Sequence, residues 1–148
     1  MDKRLIGQRS DRNGLRLLHQ FGWMRAKELA SMLWPNSKRP EVNVSELVGK
    51  WKRAGWLLIR RLPEHAGQAL VLSAAGAAHL RQLGCPDAAT GKDWGETHDG
   101  DWSPPKTWQH ELLAMGLLAH LYVQGWAIIP ERQLRRDNQP GRFPDGLA

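Results

Sequence analysis

Apolar residues along this chain recur at helical spacing, change to an unbroken extended run, and then return to helical spacing. Leu15, Leu18 and Phe21 lie on one side of a first helix, with Asp11 or Asn13 as its expected cap and Gly22-Trp23 closing it. The polar, basic residues 1–10 ahead of it read as a mobile arm. Ala26, Leu29, Ala30 and Leu33 predict a second helix that stops at Trp34-Pro35-Asn36-Ser37, because proline cannot continue it. A third helix opens at Pro40, a favoured first-turn residue, with Glu41 at its positive end, and runs to Ala54 before Gly55. Val44, Leu47, Val48 and Trp51 form its apolar face. The opposite face carries Val42, Asn43, Ser45, Glu46, Gly49, Lys50 and Arg53. The apolar run 56–62 and the return at 69–72, joined by a turn at 63–68, predict a hairpin. Ser73 then caps a fourth helix over 74–83, closed by Gly84.

Residues 85–106 lose this periodicity and mix Pro, Gly and Asp with Trp94 and Trp102, which reads as an irregular acidic connector. Its tryptophans dock either on a partner or on the protein's own surface. Thr107 opens an apolar helix through Gln124, which serves either as a dimerisation surface or as the core of the second half. A short strand follows at 126–130, then a polar, basic loop at 131–142.

Three helices, a two-stranded hairpin and a further helix, in that order, make the layout of a winged helix-turn-helix. The expected fold is therefore α+β and mainly α. A winged helix spans 11–84, the connector 85–106, and a helix-plus-strand segment 107–148.

Composition sharpens this picture. Among 148 residues, 41% are hydrophobic, enough for a core, and no run approaches the roughly 18 apolar residues of a membrane helix. The polar N-terminus lacks an apolar signal core, and the single Cys85 cannot form an intrachain disulfide, so a cytoplasmic protein without membrane association is expected. The net charge of +6 is unevenly spread. Residues 1–84 hold 15 Lys and Arg against 6 Asp and Glu, a net of +9, and residues 85–148 are net −3. The basic half is the candidate for a polyanionic partner.

For double-stranded DNA as that partner, cations on phosphates supply affinity and side chains at base edges supply preference. Asn43, Ser45 and Glu46 lie near the end of the third helix expected to enter the groove, and Lys50 or Arg53 can donate to guanine. Lys38, Arg39, Lys52, Arg60 and Arg61 suit phosphate contacts, and His65 in the hairpin turn completes the set. The other histidines are scattered, and no Cys/His spacing supports a zinc site. There is no phosphate-binding glycine loop and no nucleophile elbow, so no cofactor, metal or catalytic residue is assigned and the expected protein is not an enzyme.

The stretches Leu15–Gly22, Lys27–Ala30, Leu47–Leu57 and Leu70–Gly76 together resemble a winged-helix regulator. Further on, His110-Glu111, Gly125-Trp126, Ile129-Pro130-Glu131 and Arg142-Phe143-Pro144-Asp145-Gly146 are similar to the replication-relaxation family of plasmids and integrative conjugative elements. That resemblance implies a winged helix joined to a nuclease-like α/β unit and a role in control or mobilisation of a mobile element. Pro144-Asp145, with Glu111 or Glu131 as a further acid, resembles the first half of a metal-dependent nuclease motif. The acid-x-Lys element that should follow has no room in Gly146-Leu147-Ala148, so the expectation is either a fragment of a longer protein or such a fold kept without its chemistry. Transcriptional regulation or conjugation accessory function is the expected role, with a homodimer as a possible assembly. A metal-dependent nuclease fragment and a winged-helix protein-interaction module are the alternatives.

Overall fold

The computed structural model describes residues 3–125, 129–130 and 146–147. The chain is α+β and mainly helical. Helix α1 (Lys3–Phe21) begins eight residues before Asp11. The mobile arm expected at 1–10 is therefore helical from Lys3 onward, and Asp11 is an interior helical residue, not a cap. An aspartate is tolerated there because its carboxylate is satisfied from outside the helix, by donors on α3.

Helices α2 (Ala26–Leu33) and α3 (Pro40–Ala54) occupy the segments their periodicity predicts. Pro40 stands in the first turn of α3, and Gly55 ends it in the left-handed conformation at φ 78°, which glycine adopts without steric cost. Strands β1 (Leu57–Arg61) and β2 (Gln68–Leu72) pair antiparallel from Leu57↔Leu72 to Arg61↔Gln68. On the other side of β2, Met24 bridges Leu70 through two backbone hydrogen bonds of 3.1 and 2.7 Å. The Gly22-Trp23 stop after α1 thus leads into a one-residue third rung that welds the α1–α2 connection to the hairpin. Helix α4 (Ala74–Gln82) starts at Ser73, whose hydroxyl accepts from Gly76 N–H at 3.0 Å and donates to Gly55 C=O at 2.7 Å.

The 85–106 segment is not irregular throughout. Strands β3 (Glu96–His98) and β4 (Asp101–Ser103) form a hairpin whose two turn residues, Asp99 and Gly100, both have positive φ, 51° and 85°. Asp-Gly is the dipeptide such a turn selects. Apart from half-buried Trp102 the strand residues are polar and exposed, so no apolar alternation advertised the strands. Helix α5 (Trp108–Val123) follows, and β5 (Ile129–Pro130) pairs with β6 (Gly146–Leu147). Trp126 to Ile128 of the expected strand, the loop expected at 131–142, Glu131 and the Arg142-Phe143-Pro144-Asp145 motif lie outside the described residues.

One core joins helices α1 to α5, the β1–β2 hairpin and the tryptophan segment. Leu15, Leu18, Leu29, Trp51, Leu70, Leu72 and Leu80 are buried in the same cluster as Trp94, Met115 and Leu118. Trp94 stacks on Trp23 at 4.5 Å between ring centroids, and Trp102 leans on Trp94 at 5.3 Å and donates its indole N–H to the Trp94 carbonyl at 3.1 Å. The acidic tryptophan segment thus packs onto the protein's own surface. Helix α5 buries Met115, Leu118 and Ala119 while Leu113 and Leu117 face outward. Among the described residues, no helix is long and apolar enough to cross a membrane.

Candidate nucleic-acid interface

The outer surface of α3 follows from how its inner face is held. Val44, Leu47 and Trp51 are buried against the rest of the core. Ser45, Glu46, Lys52 and Arg53 consequently project into solvent, as does Val42. Lys52 and Arg53 in the last turn and Glu41 in the first also complement the helix dipole. Lys38 and Arg39, in the turn that delivers the chain to α3, are exposed. Within that turn the Ser37 hydroxyl accepts from the Arg39 backbone N–H at 3.2 Å and from the Asn43 amide at 3.3 Å. Asn43 is therefore half-buried and engaged in shaping the turn.

Two of the expected DNA contacts are committed elsewhere in the protein. Lys50, though its side chain is 46% exposed, reaches back to α1, where its ammonium sits 2.8 Å from the Asp11 carboxylate. Arg60 on β1 lies half-buried with its guanidinium 5.7 Å from the centroid of the Trp102 ring. That cation–π arrangement ties the first hairpin to the second. Arg61, one residue on, is exposed. His65 is exposed at the hairpin turn, where Glu64 and His65 adopt left-handed φ of 58° and 57°. The turn is braced from two sides. Arg25 at the start of α2 donates to the Ala66 carbonyl at 3.0 Å while paired with Glu28, and Gln109 of α5 donates to the Glu64 carboxylate at 2.7 Å.

Sequence reading missed the contribution of α2. A groove of about 730 Å³ runs between α2 and α3, floored by Ala26, Ala30, Val44 and Val48. Lys27 and Ser31 of α2 stand on one side of it and Ser45 and Lys52 of α3 on the other. Both α2 residues are exposed on the helix face opposite buried Leu29 and Met32, a signal available from the periodicity of the segment. Among the described residues no group of three or more His, Cys, Asp or Glu side chains is arranged to hold a metal ion.

No family model matches the chain, and no curated protein or solved structure does.

Proposed function

We propose that the chain is a winged-helix protein that binds double-stranded DNA with sequence preference, using α3 as the recognition helix and the β1–β2 hairpin as the wing. The observation that carries this reading is the solvent-facing flank of α3. Ser45, Glu46, Lys52 and Arg53 are all exposed on a helix whose opposite face is locked in the core. A short polar and a carboxylate side chain suit base edges, and the cations suit phosphates or guanine. Lys27, Lys38, Arg39 and Arg61 are exposed on the neighbouring α2, turn and hairpin, and extend a cationic surface from that flank. Such a surface is what an electrostatic footprint on duplex DNA requires.

Within this reading, we extend the proposal along the resemblance of the short motifs at 110–146 to the replication-relaxation family. The protein acts in the cytoplasm on a mobile genetic element, as a transcriptional regulator or a mobilisation factor. Capture of genomic fragments followed by sequencing distinguishes the two: enrichment upstream of the protein's own gene marks a regulator, and enrichment at a transfer origin marks a mobilisation factor.

Salt titration with a random duplex tests the DNA reading directly. If Lys27, Lys38, Arg39, Lys52, Arg53 and Arg61, six of the exposed cations, all meet phosphates, log K falls against log salt with a slope of about −5. Binding that is absent, or indifferent to salt, overturns the proposal. It would favour a protein-interaction module instead, a reading to which the apolar floor of the α2–α3 groove lends its weight.

A further inference from the structure

Asp11 is a buried carboxylate on α1, with 6% of its side chain exposed, and both of its oxygens are taken by α3. The Trp51 indole N–H donates to Oδ1 at 2.8 Å and the Lys50 ammonium donates to Oδ2 at 2.8 Å. Lys50 and Trp51 are consecutive, so they leave the helix axis about 100° apart. A single bond from one helical position still permits the helix to roll. Two bonds from positions about 100° apart, meeting on one carboxylate, oppose that roll, beside the core packing of Val44, Leu47 and Trp51.

The same surface of α1 holds the indole ring. Gly14, one turn beyond Asp11, lies so close to Trp51 that a methyl group there would stand only 2.9 Å from its Cζ2. Asp11 and Gly14 together make a socket for Trp51, and the socket sets the angle at which α3 turns Ser45, Glu46, Lys52 and Arg53 to solvent.

We infer that Asp11 is a positioning residue for the DNA-contacting face: it fixes the roll of α3 and holds Lys50 out of the set of cations that meet phosphate. This rests on the DNA reading of the α3 flank. The counterion accounting then separates neighbours that composition makes equivalent. Lys52 neutralises a phosphate; Lys50 neutralises Asp11.

The test is fluorescence anisotropy of a labelled random duplex across about 50 to 200 mM salt. Wild type is compared with Lys50→Ala, Lys52→Ala, Asp11→Asn, and the double variant Asp11→Asn with Lys50→Ala. Lys52→Ala should flatten the log–log slope by about 0.9, the value of one phosphate contact, while Lys50→Ala leaves it unchanged. Asparagine still accepts from Trp51 but offers Lys50 no charge. Asp11→Asn should therefore steepen the slope by up to about 0.9, and removing Lys50 in the same chain should cancel that gain. A merely structural Asp11 would lower the melting temperature without moving the slope, and that result overturns the inference. So does a Lys50→Ala variant that loses as much slope as Lys52→Ala, a comparison that decides even if Asp11→Asn fails to fold. A wild-type chain that binds no duplex overturns the DNA reading itself, and is told apart by needing no variant.

Discussion

Two tryptophans in this core invite the same substitution with opposite expectations. Trp51 is fully buried and Trp94 is 5% exposed, so replacing either with phenylalanine removes a comparable piece of buried ring. At about 0.8 kcal/mol per methylene equivalent, that loss is roughly 2 kcal/mol at each position. The indole N–H groups differ. That of Trp51 donates to Asp11 at 2.8 Å, and its removal strands one oxygen of a buried carboxylate, a further cost of about 1.5–3 kcal/mol. That of Trp94 is buried with no hydrogen-bond partner. Deleting it relieves a desolvation penalty of about 1–3 kcal/mol, which offsets most of the lost ring. Trp51→Phe should therefore destabilise by about 3–5 kcal/mol and Trp94→Phe by about 1 kcal/mol or less. Urea unfolding followed by far-ultraviolet circular dichroism measures the difference without using the tryptophans as probes. With a denaturant slope of about 2 kcal/mol per molar, the two midpoints should lie more than 1 M apart. Equal midpoints, or a lower midpoint for Trp94→Phe, would refute the assignment of these two N–H groups.

Two of the glycines inside helices, Gly14 and Gly116, should respond oppositely to alanine. Gly14→Ala drives a methyl into the Trp51 ring and should cost about 1–3 kcal/mol, whereas Gly116→Ala meets open space on α5 and should gain up to about 1 kcal/mol, both read from thermal melts. Ser73→Ala removes the cap of α4 and the bond to Gly55, and should lower stability by about 1–2 kcal/mol in the same assay. Trp94→Ala, unlike Trp94→Phe, opens a cavity between Trp23 and Trp102 and should cost about 3–5 kcal/mol. If it instead left stability unchanged while proteolysis released the 96–103 hairpin, the aromatic stack would not be the joint between the segments. Joint substitution of Lys52 and Arg53 by alanine should weaken binding of any duplex by at least tenfold at low salt, measured by gel shift, with the circular dichroism spectrum intact.

The elements that were legible in the residue pattern are those whose boundaries are written in local chemistry. Pro40 and Gly55 bracket α3, Ser73 opens α4, and the apolar spacing of Val44, Leu47 and Trp51 names the inner face of α3. Each of those signals acts within a turn or two of helix, so a one-dimensional reading captures it. The α1 start was misplaced because Asp11 has two local roles open to it, cap or interior, and only donors some 40 residues away choose between them. The β3–β4 hairpin escaped because its strands are three residues long and carry one apolar side chain, Trp102, too few to show an alternation.

The candidate interface divides the same way. Charge and helical period suffice to say that the outer flank of α3 is cationic, because both are properties of the segment alone. Which of its cations are free to meet a phosphate is not such a property. Lys50 and Lys52 are the same side chain two positions apart, and Arg60 and Arg61 are neighbours. Buried Asp11 pairs with one lysine, whose side chain stays 46% exposed, and the Trp102 ring engages one arginine, leaving Lys52 and Arg61 exposed without such a partner. A charge becomes available or spent only when packing brings a distant partner within a few ångströms, since electrostatic and hydrogen-bond energies fall off over that distance and carry no trace along the chain.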